Sequence, residues 1–600
     1  MGLAPDRLRA SSLLALVAVL NGCASGTAGS VAHATAAISP AAAAPNGRGE
    51  NALERAASAW KAGDYLAASA EYEAIVGRDP HAPSVAIFRL ATLRAWENRI
   101  DEGVGLFRRY VAMEPRDTEG RLALGRALAW GGRYSDAIAI YDSVIASDAT
   151  YRDAVLARAQ TLAWSGHLGE ALSTYRRWLA DHPSDREASV AYAVALSWNG
   201  QLDDAESLYA QLSGTGDSDA KKGLARVISW RGDLARSERT WREVLENEPE
   251  DPEALTGLAQ VLSWQGRQTD AQTALERALR ANRSYGDARA LLRWVRADLR
   301  PSVTMTGVGS NDSDGNRASS LMLDYSRHAP WNGTVGARST TRRATFAAID
   351  SRADALSVFA RWQPVASSWQ LRADAGVARH SSTPVSSAAP ERTIVGGSLR
   401  AAGTVGRSLT AALGVSRVPF DETAVLIASG VVSTEIAGDA EIALPSRLSL
   451  SGAVSHARLT GGARENSRNA LSSALRWKHN RRWSVAIGAR RFGYDTTSAD
   501  GYFAPKKYTL LEASGRGRVG GTLGWNAEGD AGMGRQTIDL FGSSGGSRLT
   551  ERVSLAAGYR FDPAREISAG GSYGNVAAPG QTSGSEYNAY TLSLRARVGF

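Results

Sequence analysis

The chain has 600 residues, one cysteine and a formal charge of +8, which excludes an intrachain disulfide framework and any multi-cysteine metal site. Hydrophobic residues at 43% leave enough apolar surface for most of the chain to fold. The charge is split between halves: residues 301–600 hold 34 Lys and Arg against 23 Asp and Glu, an excess of +11, whereas the first half stands at −3; the excess is mostly arginine and dispersed, so nucleic acid is not expected as a partner.

At the N-terminus, Arg7 and Arg9 precede the apolar run 11–20. A basic stretch followed by an apolar one is the layout of a secretory signal. Leu20, Asn21, Gly22 and Cys23 come next and resemble the lipobox of bacterial lipoproteins, with Asn21 standing where a smaller residue is usual. Two outcomes stay open. Cys23 is lipidated, or cleavage falls near Ala32, His33 and Ala34 and Cys23 is discarded. Either way, residues 1–23 read as an export signal. Residues 24–49, rich in Ala, Gly, Ser and Pro, read as a flexible linker. No later stretch is long and apolar enough for a transmembrane helix, which leaves a barrel open, since its mark is alternation.

Residues 50–297 carry an internal period. Tryptophans stand at 60, 96, 130, 164, 198, 230, 264 and 294, mostly 34 apart. A turn residue recurs at Gly63, Asn98, Gly132, Gly166, Gly200, Gly232 and Gly266, and five positions later comes a small one: Ala68, Gly103, Ala137, Ala171, Ala205, Ser237 and Ala271. Pro80, Pro115, Pro183 and Pro249 follow the second half of four units. Glycine supplies the positive φ that ends a helix, a small side chain lets two helices approach, and proline stops the second helix. The pattern predicts seven tetratricopeptide repeats, with the fifth short by two residues near Gly214 and Gly216. Such solenoids stack to bury their core and commonly bind peptides on the concave face. Trp96, Trp130, Trp164, Trp198, Trp230 and Trp264 admit two readings: they fill the seams between repeats, or they form a ladder that stacks on sugar rings or a peptide.

Past residue 300 the helical period vanishes and alternation takes over. Val553, Leu555, Ala557, Tyr559 and Phe561 alternate with Ser554, Ala556, Gly558 and Arg560; Trp483, Val485, Ile487 and Ala489 alternate with Ser484, Ala486, Gly488 and Arg490. In the last segment, Tyr590, Leu592, Leu594, Ala596, Val598 and Phe600 share one face. A terminal aromatic closing such a strand resembles the assembly signal of Gram-negative outer-membrane proteins, so Tyr590 and Phe600 are assigned to barrel assembly. The fold class expected is therefore a tetratricopeptide-repeat α-solenoid followed, over 301–600, by a transmembrane antiparallel β-barrel of about 16 strands. A soluble β-sandwich is the competing fold; the export signal and the Arg-bearing polar faces count against it. A charged side chain facing lipid costs ~2–4 kcal/mol near the midplane, so Arg361, Arg490, Arg560, Arg595 and Arg597 are expected in the lumen. There they either pair with Asp374, Glu528 or Asp530, or line a path for anions or hydroxylated polymers.

Two short motifs add a resemblance. One is "GYFAPKKY" at 501–508, with Tyr502, Phe503, Pro505 and Tyr508; the other is "SRVPFDETAVLIASG" at 416–430. Together with the layout of signal, repeats and barrel, they resemble the C-terminal barrel of cellulose synthase operon protein C; the YaiO family and the poly-N-acetylglucosamine porin have a related layout. The resemblance implies outer-membrane export of an exopolysaccharide, cellulose-like or related, with a periplasmic repeat scaffold that guides polymer or docks synthase components of the periplasm or inner membrane. It also implies a role in biofilm, and outer-membrane lipid and the barrel-assembly machinery as further partners. The repeat array is much shorter than in the cellulose exporters, and neutral cellulose does not require an Arg-rich lumen. The motif residues serve either as a structural turn that seals the barrel or as sugar contacts.

Catalytic chemistry is not expected. None of His33, His81, His167, His182, His328, His380, His456 and His479 stands at metal-ligand spacing, and Gly515, Gly517 and Gly520 fit a dinucleotide motif only inside a strand-like polar stretch. No cofactor, metal or enzymatic activity is therefore anticipated. The alternatives to export are an envelope interaction scaffold anchored by a plugged barrel, and a general porin.

Overall fold

The computed structural model describes residues 47–600, apart from 215, 365–367, 384–390, 407, 481, 499, 543–545 and 577–586. The expectations on the signal segment, on Cys23 and on most of the 24–49 linker lie outside the described residues. The protein is a solenoid of fifteen helices followed by a closed antiparallel barrel of sixteen strands. It divides after Arg231 into two compact units, one ending there and the other running over 232–600.

Seven helix pairs follow one another. They are α1 (Gly47–Lys61) and α2 (Tyr65–Arg78); α3 (Ser84–Trp96) and α4 (Ile100–Met113); α5 (Thr118–Trp130) and α6 (Tyr134–Ser147); α7 (Arg152–Trp164) and α8 (Leu168–Asp181); α9 (Arg186–Trp198) and α10 (Leu202–Ser213); α11 (Ser218–Trp230) and α12 (Leu234–Asn247); and α13 (Pro252–Trp264) and α14 (Gln268–Ala281). A fifteenth helix, α15 (Gly286–Leu299), has no second member. The first helix therefore takes in three residues of the expected linker. Every turn residue expected from the sequence has positive φ, between 74° and 89° for the six glycines and 61° for Asn98. Ala68, Ala137, Ala171, Ala205, Ser237 and Ala271 are wholly buried.

The period also hides a large aromatic residue on the second helix of each of the first six pairs. Tyr72, Phe107, Tyr141, Tyr175, Tyr209 and Trp241 are buried. Glycine makes room for several: a Cβ at Gly125 would lie 2.6 Å from the Tyr141 ring, one at Gly223 2.4 Å from Tyr209, and one at Gly257 2.3 Å from Trp241. A large-against-none pairing of this kind brings two helix backbones close at interior density.

Polar clamps tie successive repeats. Asp185 accepts from Arg152 at 2.8 and 2.9 Å, from the Trp178 indole at 2.9 Å and from the Ala188 amide at 3.1 Å, so one carboxylate caps α9 and links it to α7 and α8. The Arg152 guanidinium, opposed by burial and helped by Trp178 and Ala188, lowers its pKa to about 2.

The strands, β1 (Ser302–Asp312) through β16 (Ala589–Gly599), run up and down in sequence order, and β16 closes on β1. Because β1 starts where the solenoid ends, one rim is proximal to the repeats in sequence and the other is distal. Leu321, Leu323, Leu356, Val358, Leu555, Leu592 and Leu594 all point outward and are exposed. No helix among the described residues is long and apolar enough to cross a membrane. The six tryptophans of the barrel half, Trp331, Trp362, Trp369, Trp477, Trp483 and Trp525, all sit at the proximal rim, each at least 36% exposed. Phe561 and Phe600 join them there. A ring of outward aromatics at one level is how barrels meet a membrane–water interface.

The clamp makes a prediction. Asp185→Asn keeps a good capping side chain but removes the charge. A carboxylate whose folded pKa is depressed stabilises above its unfolded pKa near 4, and that stability is lost as pH falls toward 2. The variant is expected to be less stable by about 2 kcal/mol at pH 7 and nearly equal to the parent only below the folded pKa, at about pH 1.5, read by helical circular dichroism during denaturant unfolding. An equal deficit at both pH values would refute the electrostatic origin.

Candidate functional site

The lumen is built by alternation. Residues directly opposite in the ladder share a face, so register assigns each side chain inward or outward. On β16, Thr591, Ser593, Arg595, Arg597 and Gly599 face inward, opposite Ser310, Val308, Thr306, Thr304 and Ser302 of β1. On β11 (Trp483–Tyr494), Arg490 faces inward beside Phe492, its guanidinium 5.3 Å from the ring. On β4 (Ile349–Trp362), Arg361 faces inward beside Phe359 at 5.7 Å. On β14 (Ser547–Asp562), Arg560 faces inward and bonds Glu566 of β15 (Arg565–Gly574) at 2.5 and 2.9 Å. All five arginines named from the sequence thus line the lumen.

The carboxylates proposed as their partners are engaged elsewhere. Asp530 pairs with Arg552, Glu528 pairs with Arg516 at 3.1 Å, and Asp374 accepts from the Ser398 hydroxyl. Arg552 also grips Glu512 at 2.8 Å. Further inward arginines, among them Arg338 with Asp324 at 2.6 Å and Arg468 with Glu435 at 3.1 Å, were not singled out from the sequence. The alternation that located the first five marks these as well.

At the proximal rim, the last repeat lies against the barrel within the same compact unit. Helix α15 packs on β2 (Arg317–Ala329). Trp294, which the 34-residue series placed with the other tryptophans, lies mid-helix on this unpaired element, and the Arg560 guanidinium stands 5.8 Å from its ring. The α13–α14 turn at Gly266 comes within 3.5 Å of the Gln363 amide oxygen, measured from a built Cβ. An indole and an arginine therefore meet at the entrance to the lumen.

At the distal rim, the connection between β7 (Leu409–Pro419) and β8 (Val432–Ala443) folds inward. The Phe420 amide donates to the Val431 carbonyl at 2.8 Å and pinches its neck. Between them runs a short helix, α16 (Ala424–Ser429), capped by Thr423 and ended by Gly430 at φ 68°. One side of it, Ala424 and Ile427, packs on inward Ala344 and Ala353 of β3 (Gly333–Phe346) and β4. The other side, Leu426 with Val431, packs on Leu459, Phe492, Tyr508, Leu510 and Ile538 from the opposite wall. Polar ties reinforce the position: Arg342 donates to the Asp421 carbonyl at 2.8 Å and carboxylate at 3.0 Å, and Ser351 donates to the Ala424 carbonyl at 2.8 Å. The segment thus bridges two sides of the barrel wall at the distal rim.

The second motif supports this lid. Tyr502, Phe503 and Pro505 lie in the connection between β11 and β12 (Lys507–Gly520), and Tyr508 opens β12. All four are buried. Tyr502 and Phe503 share a cluster with Leu426, the Tyr508 hydroxyl donates to Gln536 at 3.0 Å, and the Pro505 carbonyl accepts from the Tyr494 amide. Gly501, at φ 74°, comes so near α16 that a Cβ would sit 2.7 Å from Val425. The two motifs that carried the family resemblance are thus one packed object at the distal rim, with no exposed aromatic face for a sugar.

The tryptophans of the repeats divide. Trp164, Trp198 and Trp230 pack against the cores of their repeats, as seam fillers do, and the Trp264 indole nitrogen is buried. Trp96 and Trp130 are 40% exposed, and Trp96 stacks on Trp60 at 5.6 Å with Tyr65 edge-on at 5.4 Å. Tyr590 and Phe600 cap the two ends of β16 on its outward face, and the Phe600 amide donates to the Pro301 carbonyl at 3.0 Å. No group of His, Cys, Asp and Glu fit to hold a metal occurs among the described residues.

Comparison with known proteins agrees with the helical half. Tetratricopeptide-repeat profiles match residues 88–152, 162–227 and 231–295. Solved structures similar in part include a tetratricopeptide repeat protein from Parabacteroides merdae, with 14% identity and a TM-score of 0.37 over 42% of this chain and all of that one. A bacterial polysaccharide outer membrane secretin matches at 9% identity and a TM-score of 0.40, over 50% of this chain and 99% of its own. PilW, a type IV pilus biogenesis factor, matches at 22% identity and a TM-score of 0.31, over 36% of this chain and all of its own. No curated protein matches the sequence. The chain is a tetratricopeptide-repeat solenoid joined to a closed sixteen-strand barrel.

The lid makes a prediction. Replacing residues 421–430 with a short Gly-Ser linker is expected to raise single-channel conductance in planar lipid bilayers by about tenfold, since an apolar constriction blocks ions by excluding water. Unchanged conductance would show that this segment does not close the bore.

Proposed function

We propose that the protein is an outer-membrane exporter of an exopolysaccharide, with the repeats on the periplasmic side guiding polymer or docking synthase partners. The observation that carries this reading is a closed barrel whose inward face carries arginines and whose distal end is bridged by a folded-in loop. In this reading the loop, tied by a few hydrogen bonds and two apolar clusters, is the element displaced when polymer passes. The outward apolar face and the proximal tryptophan ring support the membrane setting, because lipid admits only helices and closed barrels. The docked last repeat supports delivery at the proximal end, where Trp294 offers an apolar face to a sugar ring and Arg560 a hydrogen-bond donor.

One observation favours a second reading. The lid is well packed, as a permanent plug would be, and a plugged barrel would serve as an anchor for a scaffold that recruits envelope partners. The two separate in a strain lacking the protein. Export predicts that secreted polymer disappears from the medium and accumulates in the periplasm, and that the full chain restores secretion. Residues 301–600 behind a signal peptide are expected to restore it only weakly, because the docked repeat would be missing. Unchanged secretion in the deletion strain would sink the export reading and leave the scaffold.

A further inference from the structure

Register places three arginines side by side on the lumen wall. Arg361 of β4 stands directly opposite Arg372 of β5 (Gln370–Thr383), and Arg372 directly opposite Arg400 of β6 (Arg392–Val405). Directly opposed residues have side chains about 5 Å apart at their roots, and like charges in that relation destabilise a sheet. The barrel offers incomplete relief. Arg400 reaches Asp439 at 2.5 Å, two strands away. Arg361 lies along the Phe359 ring. Arg372, the middle member, has no carboxylate within ion-pair distance among the described residues, and Asp374, the next inward residue of its own strand, is engaged by Ser398. A row of three guanidinium groups crowded by a ladder that could have carried Ser or Thr there, as it does at Thr304 and Ser357, is an arrangement suited to an external anion. Arginine forks match carboxylate, phosphate and sulfate oxygens in pairs.

A second basic surface lies on the repeat that docks to the same rim. A cleft of about 630 Å³ between α14 and α15 is lined by Arg280, Arg283, Arg296, Glu276, Leu279 and Leu292, and Glu276 holds Arg296 at 3.1 Å. Arg280 and Arg283 beside Leu279 and Leu292 combine charge with apolar surface, as a sugar ring that bears an acid would require. The helix α15 that forms one wall also carries Trp294 beneath Arg560.

We propose that Arg361, Arg372 and Arg400 form an anion subsite on the export path, and that the polymer handled by this protein is an acidic glycan, one bearing carboxylate groups along its chain, and not a neutral glucan. The inference rests on the export reading and narrows its substrate. A row of guanidinium groups on successive strands presents a short track of weak, exchangeable contacts, so that one acidic residue can pass to the next position as the chain advances.

The test uses the full-length protein in detergent micelles, with hexagalacturonate as the acidic probe, cellohexaose as the neutral one and sodium acetate as a free anion. Binding is measured by titration calorimetry for the parent, Arg372→Gln and the triple variant with Arg361→Gln and Arg400→Gln. Hexagalacturonate is expected to bind the parent, to lose about tenfold in affinity with Arg372→Gln and more with the triple variant, and to weaken with added salt. Cellohexaose is expected to bind no variant measurably better than another. Heat-modified migration on gels checks that each barrel is closed, and here a structural role and a ligand role predict opposite signs. Relieving like-charge crowding is expected to raise the temperature at which Arg372→Gln unfolds, whereas a structural arginine would lower it. Equal binding of hexagalacturonate by parent and triple variant, tighter binding of cellohexaose than of hexagalacturonate, or a lowered unfolding temperature with no loss of binding would each overturn the proposal. Acetate bound as tightly as the hexamer would also overturn it, as a site for any small anion only. The export reading fails separately, through unchanged secretion in the deletion strain; a secreted polymer that disappears on deletion but carries no acid would leave export standing and refute this subsite.

Discussion

The pairing of β16 with β1 is the interaction on which the rest depends. Eleven consecutive residue pairs join Ser302–Asp312 to the last strand, and with them every ladder in the sheet gains a neighbour on both sides. An open edge would leave backbone donors and acceptors without partners, which an apolar medium does not forgive. Closure also creates the distinction between inside and outside. Once the sheet is a tube, alternation along each strand becomes segregation: Leu592 and Leu594 outward, Arg595 and Arg597 inward. The inside of the tube receives the polar half of each strand.

The bore in turn explains the two ends. A wide tube of polar side chains would be an open channel, and the connection over 420–431 fills one end by making contact with both walls at once. Its apolar residues are divided between the walls, with Ala424 and Ile427 against one side and Leu426 and Val431 against the other. The loops that meet it are positioned by glycines that allow close approach, as at Gly501 beside Val425 and Gly461 beside the Gly430 carbonyl. The proximal end is treated differently, with a ring of outward tryptophans and a helix of the last repeat standing against the rim. The same residue type thus serves three purposes in one chain. Tryptophan fills seams at Trp164 and Trp198, girdles the barrel at Trp483 and Trp525, and faces an arginine at Trp294.

Much of this architecture was legible without coordinates. The repeats declared themselves because a solenoid reuses one local solution, so each turn glycine, small residue and stop recurs at the same interval. The barrel declared itself because side-chain period and chain exposure coincide on a strand, which let five lumen arginines be named from alternation alone. What escaped notice followed from the same logic. The buried aromatics of the second helices were overshadowed by the more regular tryptophans, although Tyr141, Tyr175 and Tyr209 keep the same 34-residue interval. The girdle tryptophans do not recur at a fixed spacing, because strands and turns of unequal length bring them to a common level only in three dimensions.

The sequence by itself determined the two fold classes, the junction between them near residue 300 and the inward or outward sense of most strand residues, because each of these is a property of local periodicity. Only the tertiary structure decided which strands are neighbours all the way round, and therefore that Arg361, Arg372 and Arg400 stand abreast and that Asp530 belongs to Arg552. Likewise, the motifs at 416–430 and 501–508 are some seventy residues apart in the chain, and nothing in their spacing says that they close the same rim. Antiparallel closure places them together, since each follows an odd-numbered strand and so emerges at the distal end.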